Sequence, residues 1–442
     1  MKKGLLLLLA MLLCAVAHAE DGYTYALRGD GSVIITGYTG MEQTMTIPAE
    51  IDGFPVTAID TQALMENKYV KQMIIPEGVT HLGAHAFEWC KNLTQVSLPA
   101  SLTDIGDNPF DNCPQLTTIE VAAGNPVLAV QEGALIETAA KRLVCYPAAL
   151  PAKYYAIPEG VVSVDDRAFY CCDNLVEVTF PESLRVIGEY AFYVCRSLEK
   201  MVLPEGLTTL EYAALTGSPK LRELTLPSTL REIGGRAFWS LEALERIVIP
   251  EGVTALPEEA FQQCSALVEI TLPSTLTSIG TDCFYACSNL PSIAIPDSVT
   301  SVGEGVFSVC FKLAEITLSP DHPALKVEND LLIDKASGCV LAFLQGRGAT
   351  EVTVPEGVTR IGADTFRLCK KITAVTMPES LLSVGGYAFR ECEALEEMNL
   401  PAGVESIEKG AFSFCMSLML EVEEGSYAHE WAASENKAYI VE

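Results

Sequence analysis

Apolar and polar positions alternate along this chain in a unit that repeats every 23 residues, and a phenylalanine marks almost every copy. The markers are Phe87, Phe110, Phe169, Phe192, Leu215 in place of one Phe, Phe238, Phe261, Phe284, Phe307, Phe366, Phe389 and Phe412. Two intervals, from Phe110 to Phe169 and from Phe307 to Phe366, are each 59 residues long. A fixed period of this length predicts a solenoid, in which each copy covers the hydrophobic face of the next.

Each copy ends in a predicted strand. In residues 181–203 the apolar residues Met201 and Leu203 alternate with Lys200 and Val202, which is the pattern of a short strand with one face buried. A proline follows the strand, as Pro204 does here, and it marks where pairing stops because proline cannot donate a backbone hydrogen bond. Stacked copies therefore predict a parallel sheet, which we expect on the concave face of the solenoid.

A second apolar set in each copy predicts the back of the coil. In residues 181–203 this set is Ile187, Ala191, Phe192, Cys195 and Leu198, with spacings of four, one, three and three. Those spacings favour a short helical or 3₁₀ segment. The predicted fold is an α/β solenoid of thirteen 23-residue rungs, counting a degenerate first rung around Leu64.

The two long intervals contain inserts, and the two ends differ from the repeat. Each interval adds 59 − 23 = 36 residues, and both carry alternating apolar residues around a turn, which predicts two β-hairpin insertions at about 122–157 and 319–354. The predicted domains are a hairpin cap over 20–45, the solenoid over 46–418 and a C-terminal cap over 419–442, with a short helix from Ser426 to Asn436. Caps are needed because an end rung exposes core and a strand edge.

Residues 1–19 have the composition of a secretory signal peptide. Lys2 and Lys3 precede an apolar run from Leu5 to Val16, and small residues allow cleavage near Ala19. The predicted location is therefore extracellular or at the cell surface, without membrane insertion.

The chain is acidic, with 58 Asp and Glu against 29 Lys and Arg. Such a surface repels nucleic acid and anionic membranes, so neither is an expected partner. The oligomeric state does not follow from composition.

Ten of the 15 cysteines occupy one position of the repeat, three residues after the marker. They are Cys90, Cys113, Cys172, Cys195, Cys264, Cys287, Cys310, Cys369, Cys392 and Cys415. Because they all face the same way, we expect small buried thiols rather than bonded pairs. Oxidation between neighbouring rungs is the alternative, since adjacent strands lie within disulfide reach.

Aromatic residues directly after the marker are the candidate binding site. Tyr170, Tyr193, Trp239 and Tyr285 should point sideways or outwards, and Tyr and Trp are the residue types that anchor protein interfaces. The alternative is that these rings cover neighbouring rungs and extend the core.

The outward strand positions favour a structural role. Charges alternate in sign over Glu177, Lys200, Glu223, Arg246 and Glu269, so neighbouring strands should satisfy one another. The second outward column contains small and β-branched residues and no aromatics, which argues against sugar stacking there.

No residue pattern predicts catalysis. His81 and His85 are four apart, but Gly83 lies between them and no third ligand is evident, so neither a metal site nor a cofactor is predicted. Arg28-Gly29-Asp30 has the form of an integrin-type tripeptide, yet it coincides with the turn that the N-terminal hairpin needs.

The repeat resembles a known family. The unit L-P-[ED]-[GS]-[VL]-T-x-I-G-x-x-A-F-x-x-C-x-x-L-x-x-[VI]-x-L resembles the leucine-rich repeats of BspA-like bacterial surface proteins, over roughly residues 21–442. The resemblance implies a non-enzymatic secreted or surface-displayed protein that binds host matrix proteins or other cells. We therefore expect an adhesin or protein-interaction module, the alternative being an architectural envelope component that self-associates.

Overall fold

The computed structural model describes Ala17–His18 and residues 21–441. The chain divides into two compact units, an N-terminal unit that ends at Pro151 and a C-terminal unit that begins at Ala152. The predicted signal peptide lies outside the described residues, apart from the two-residue strand Ala17–His18.

Each unit contains a ladder of parallel strands, here called the front ladder. In the N-terminal unit it contains Thr44–Thr46, Gln72–Ile74, Gln95–Leu98 and Thr118–Val121. In the C-terminal unit its strands are Tyr154–Ala156, Glu177–Thr179, Lys200–Val202, Glu223–Thr225, Arg246–Val248, Glu269–Thr271, Ser292–Ala294, Glu315–Thr317, Glu351–Thr353, Ala374–Thr376, Glu397–Leu400, Met419–Val422 and Ala438–Val441.

The front-ladder strands keep the register that the repeat predicts. Glu177 pairs with Lys200, and Lys200 pairs with Glu223, each 23 residues further on. The central residue of the three-residue strands is buried, as Met201 is, while its two neighbours face outwards. The predicted solenoid of stacked parallel strands with 23-residue rungs is confirmed.

Shorter strands form a second ladder. In the N-terminal unit they are Phe54–Ile59, His81–Leu82 and Asp104–Ile105. In the C-terminal unit they are Ser163–Val164, Val186–Ile187, Thr209–Leu210, Glu232–Ile233, Ala255–Leu256, Ser278–Ile279, Ser301–Val302, Arg360–Ile361, Ser383–Val384 and Ser406–Ile407. Glycine follows eight of these thirteen strands, where the coils approach closely: a Cβ on Gly188 would lie 2.8 Å from the backbone nitrogen of Asp166.

The structure does not confirm the short helical or 3₁₀ segments predicted for the back. Around Phe192, the N–H groups of Tyr190, Phe192 and Val194 donate to carbonyls of the next rung, whereas those of Ala191 and Tyr193 donate three residues back within their own rung. Tyr190 and Val194 adopt left-handed φ values of 53° and 56°. A helix would direct every N–H along its own axis. The left-handed residues interrupt it, so that alternate N–H groups pair with the neighbouring rung.

The marker side chains form a column inside each unit. In the C-terminal unit the Phe169 and Phe192 rings stack with centroids 4.6 Å apart, and those of Phe389 and Phe412 with centroids 5.3 Å apart. Leu215 fills the one step without a ring and is fully buried. This column is the axis of the core, since large aromatic side chains contribute most apolar area per residue.

Both inserts are three-stranded and antiparallel rather than simple hairpins. In the N-terminal unit the strands are Leu128–Gln131, Ala134–Glu137 and Arg142–Cys145. In the C-terminal unit they are Leu325–Glu328, Leu331–Asp334 and Cys339–Phe343. The 3₁₀ turn Gln345–Arg347 follows them in the chain. Cys339–Phe343 pairs in parallel with Arg360–Ile361, so the third strand returns the chain to the second ladder.

The N-terminal unit begins with an antiparallel hairpin. Tyr23–Leu27 pairs antiparallel with Val33–Tyr38, and Val33–Tyr38 pairs in parallel with Phe54–Ile59. Glu50–Ile51 pairs antiparallel with Phe54–Ile59.

The C-terminal unit contains the one α-helix among the described residues, Tyr427–Ser434. Its first turn is capped by Ser426, whose hydroxyl accepts a bond from the backbone N–H of His429 at 3.1 Å. Trp431 packs near the Phe412 ring, with centroids 5.6 Å apart, so the helix covers the last marker.

The cysteines of the repeat are buried thiols that also act as hydrogen-bond donors. Sγ of Cys287 lies 3.2 Å from the carbonyl oxygen of Phe261, the marker of the preceding rung, and Cys264 makes the same bond to Phe238 at 3.1 Å. Ser218 stands at this position in another rung and donates to the Phe192 carbonyl. Most rungs therefore have a small side chain with a donor at this position, whereas Leu241 fills it with a buried apolar side chain in one rung. All described cysteines are free.

Thiol labelling tests this arrangement. Burial raises the pKa of Cys264 and Cys310 to about 12, whereas a hydrogen bond from Cys392 lowers the pKa of Cys415, which is also partly exposed. Because the thiolate is the reactive form, we expect a maleimide to modify Cys415 first in the native protein at neutral pH, and Cys171, whose pKa burial raises to about 11, more slowly. Peptide mass spectrometry identifies the modified residues.

The matched variants are Cys415→Ser, which should remove the fast phase, and Cys171→Ser, which should leave it intact. Rapid native labelling of Cys264 or Cys310, or a disulfide between rungs, would contradict the structure.

Candidate interaction surface

Two columns of positions flank the markers on the back of the C-terminal unit, and their side chains are partly exposed except for the buried Ala213, Thr216 and Ser308. One position follows the marker and is here called the +1 column; the other lies two residues before the marker and is called the −2 column. The +1 column contains Tyr170, Tyr193, Thr216, Trp239, Gln262, Tyr285, Ser308, Arg367, Arg390 and Ser413. The −2 column contains Arg167, Tyr190, Ala213, Arg236, Glu259, Asp282, Gly305, Asp364, Tyr387 and Gly410. The residues of the −2 column, such as Tyr190, have left-handed φ values, as do the residues that directly follow the +1 column, such as Val194.

Tyrosines from both columns meet in a cluster. The rings of Tyr170 and Tyr193 stack with centroids 4.9 Å apart and an interplanar angle of 20°. Tyr190 lies edge-on to Tyr193 and also to Tyr212, at 5.5 Å in both contacts. The two predicted residues Tyr170 and Tyr193 are thus brought together, and the contacts extend to two further rings.

Arginines fix the edges of this tyrosine cluster. The guanidinium of Arg167 lies 5.2 Å from the Tyr190 ring centre, and that of Arg236 lies 5.9 Å from the Tyr212 ring centre. Arg236 also makes two hydrogen bonds to the Glu259 carboxylate, at 2.9 and 2.8 Å. Cation–π contact and the bidentate pair hold these rings in place.

Trp239 and Tyr285 lie further along the +1 column and do not join the cluster. Thr216 separates Trp239 from Tyr193 by one rung, and Gln262 separates Trp239 from Tyr285. The indole N–H of Trp239 donates to Gln262 at 2.9 Å, and Arg367 lies 5.5 Å from the Tyr285 ring centre. Like Tyr170 and Tyr193, both are half-buried.

Sequence reasoning missed most of the −2 column. Arg167, Tyr190 and Arg236 recur at a fixed distance from the marker, so an alignment of the copies on the marker would have placed them in one column. The contacts that join the two columns, in contrast, depend on the left-handed turns and have no signal in the sequence.

Two acidic residues of the −2 column are close because a glycine separates them. The Asp282 side chain lies against Gly305, and Asp364 occupies the next position of the column beyond it. Burial, followed by repulsion from Asp364 and Glu259, raises the pKa of Asp282 from its ordinary 3.8 to about 6. Asp364 forms an ion pair with Arg367 at 3.0 Å. Asp282 therefore carries an unfavourable charge at neutral pH.

The front ladder has the self-paired charges that its sequence predicts. Lys200 Nζ lies 3.6 Å from the Glu223 carboxylate, and Arg246 forms an ion pair with Glu269. The sequence reading overlooked Tyr154, which follows an insert, is 68% exposed and stands in the first outward column of this ladder. The front surface of the C-terminal unit therefore carries the exposed ring of Tyr154 and two ion pairs between neighbouring strands.

The structure separates the two histidines that are four residues apart. His81 lies in a second-ladder strand, 2.7 Å from the Asp104 carboxylate, whereas His85 contacts Asp111 at 3.1 Å. Asp30 of the integrin-type tripeptide accepts hydrogen bonds from the backbone N–H and the hydroxyl of Ser32, at 2.9 and 2.6 Å. These hydrogen bonds show that the Asp30 carboxylate stabilises the hairpin turn in which it lies.

Comparison with known families explains this architecture. A model described as the BspA type leucine rich repeat region matches six copies over residues 55–135, 145–268, 236–328 and 341–422, which is more than half of the chain. The chain belongs to this family. The BspA-type match indicates no enzymatic family. No curated protein sequence matches the chain.

Three solved structures of leucine-rich repeat proteins are similar to this chain, and the first of them has the same fold. A leucine-rich repeat protein from Eubacterium ventriosum aligns with 70% of this chain and 97% of its own length, at 18% identity and a TM-score of 0.51. A leucine rich cell surface protein from Faecalibacterium prausnitzii aligns with 96% of this chain and 94% of its own, at 23% identity and a TM-score of 0.44. A leucine-rich repeat protein from Bacteroides ovatus covers 96% and 98%, at 20% identity and a TM-score of 0.44. Within the described residues of this BspA-type chain, no helix has the length and apolarity needed to cross a membrane.

The raised pKa of Asp282 makes a stability prediction. The folded protein retains a proton that the unfolded chain releases between about pH 4 and pH 6, so this residue lowers stability as pH rises through that window. Asp282→Asn should therefore raise the free energy of unfolding at neutral pH, by about 1 kcal/mol after discounting for solvent contact. Near pH 4 the variant and the parent should be equally stable. Asn also tolerates the left-handed φ of 53° at this position.

Denaturant unfolding at the two pH values measures the effect. Asp321→Asn, at an exposed carboxylate of the same unit, is the matched control and should change neither value. A loss of stability in Asp282→Asn at neutral pH would show that the carboxylate is favourably paired.

Proposed function

We propose that this BspA-type protein is an exported, non-catalytic binding protein, an adhesin or cell-surface interaction module that recognises a protein partner on host matrix or on another cell. The observation that carries the proposal is the tyrosine cluster on the back of the C-terminal unit, where Tyr193 contacts both Tyr170 and Tyr190 and arginines lie over the outer rings. Trp239 and Tyr285 extend the same column.

Half-buried rings of this kind suit protein recognition. Tyr, Trp and Arg dominate the energetics of protein interfaces. A ring that is already held by stacking and cation–π contact loses little conformational freedom on binding, so more of its contact energy appears as affinity. A partner that lies along the +1 column can contact several rungs at once, which distributes affinity over the repeat.

A binding screen tests the proposal. The purified chain, residues 20–442, is presented to an array of matrix proteins, glycans and whole cells, and the partner found is then titrated. In the variant with Tyr170, Tyr193, Trp239 and Tyr285 all replaced by Ala, we expect the dissociation constant to rise by at least thirtyfold, which corresponds to about 2 kcal/mol.

Two controls separate recognition from folding. Tyr154→Ala removes the exposed ring of the front ladder and should leave the affinity unchanged. The melting temperature of each variant shows whether the rings act only as cover for the core: a large drop in stability with unchanged affinity would refute the binding role.

A second candidate function is an architectural component that self-associates. The strand Ala438–Val441 stands at an edge of the front sheet, with Ile440 54% exposed, and exposed apolar edges pair readily with other strands. Sedimentation velocity over a wide concentration range distinguishes the two functions. A monomer at every concentration excludes the architectural function, whereas concentration-dependent assembly together with a blank binding screen would favour it.

A further inference from the structure

A second cluster of chemically active side chains lies in the N-terminal unit, on the rungs of Phe87 and Phe110. His85 occupies the −2 position, Glu88 the +1 position of the same rung, and Asp111 the +1 position of the next rung. One ligating atom from each side chain lies within 4.8 Å of the other two, and the His85 Nδ1 to Asp111 Oδ1 distance is 3.1 Å.

The repeat itself does not call for these residue types. The corresponding triple in the C-terminal unit is Arg167, Tyr170 and Tyr193 at its first marker, and no described rung of that unit has three metal-ligating residues at these positions. The cluster is therefore a local specialisation of two rungs.

Burial favours a compensating positive charge at this cluster. The Asp111 side chain is only 2% exposed and that of His85 19% exposed. Ionised carboxylates are expensive to bury unless they are paired or coordinate a metal. With a neutral His85 imidazole, the carboxylates of Glu88 and Asp111 give the cluster a charge of −2, which a divalent cation neutralises. Protonation of His85 instead would reduce the charge only to −1.

Neighbouring groups orient the ligands and leave an approach. Glu88 accepts hydrogen bonds from the side chain of Gln62 at 3.3 Å and from the Trp89 indole at 3.1 Å. Such outer contacts fix the orientation of ligating carboxylates. Glu88 is half-buried, so an ion can reach the cluster from its side.

We propose that His85, Glu88 and Asp111 form a binding site for a first-row divalent metal ion, with Zn²⁺ as the best match. Imidazole together with carboxylates suits Zn²⁺ better than Mg²⁺ or Ca²⁺, which prefer oxygen ligands alone. Three protein ligands leave a fourth position of a tetrahedral ion for water or for a group from a partner.

Calorimetric titration of the chelator-treated chain with ZnCl₂ at neutral pH tests the site. We expect saturable binding of one ion per chain by this site, with a dissociation constant of about 1 µM or tighter. Saturating Zn²⁺ should also raise the melting temperature, because the ion binds the folded cluster preferentially. MgCl₂ and CaCl₂ at the same concentration should produce neither effect.

Three variants assign the site. His85→Asn, which tolerates the left-handed φ of 57° and matches Asn108 in the next rung, should weaken Zn²⁺ binding at least tenfold. Glu88→Gln should do the same at a side chain that is not essential to the core. His81→Asn is the matched control, and it should retain full affinity because His81 pairs with Asp104 elsewhere.

The result that overturns the proposal is equally specific. If the parent chain shows no saturable Zn²⁺ binding up to about 100 µM, or if His85→Asn and Glu88→Gln bind Zn²⁺ as the parent does, the cluster is an ion pair between His85 and Asp111 and not a metal site.

Discussion

The structure depends on one backbone device, the alternation of hydrogen bonds along the back of each rung. Every second N–H in this segment donates to the neighbouring rung, and the intervening ones donate within their own rung. Left-handed residues on either side of the marker make the alternation possible, although they are normally disfavoured for residues with side chains. The backbone then determines which positions turn inwards, and so the marker ring and the thiol are inside while the +1 and −2 columns are outside.

This device also explains the cysteines three residues after the marker. Where the side chain at this position donates a hydrogen bond to the marker carbonyl of the preceding rung, it is Cys or Ser. The marker carbonyl of the preceding rung already accepts one backbone N–H, as Phe261 does from Cys264, and its second lone pair meets the thiol of Cys287. Cys369, which follows the second insert, instead donates to the Arg367 carbonyl of its own rung, at 3.9 Å. In the regular copies each marker stacks on the marker of the preceding rung. After an insert, the preceding marker is 59 residues away in the chain, and the insert takes the place of that rung.

Much of this fold could be predicted because the repeat presents the same evidence many times. The period, the buried strand residue such as Met201, the reduced thiols and the charge pairing of Lys200 with Glu223 all follow from pattern alone. The back segment could not be predicted, since a spacing of three between Phe192 and Cys195 is common to a 3₁₀ turn and to the observed alternation. The left-handed residues, among them Tyr190 and Val194, include few glycines that would reveal them. For the same reason the partly exposed position of Tyr170 and Tyr193 could be predicted, but the contact between Tyr193 and Tyr190 could not.

The direction of the hydrogen bonds has a mechanical consequence within the C-terminal unit. The bonds of both ladders, and every second bond of the back segment, run from one rung to the next. Tension applied along the stacking direction loads one inter-rung boundary after another, in series, so rungs separate singly at low force. Tension applied along the strands loads the bonds of a boundary together, in shear, and meets far greater resistance. The same set of bonds therefore resists force along the strands but lets rungs separate one at a time under force along the stacking direction.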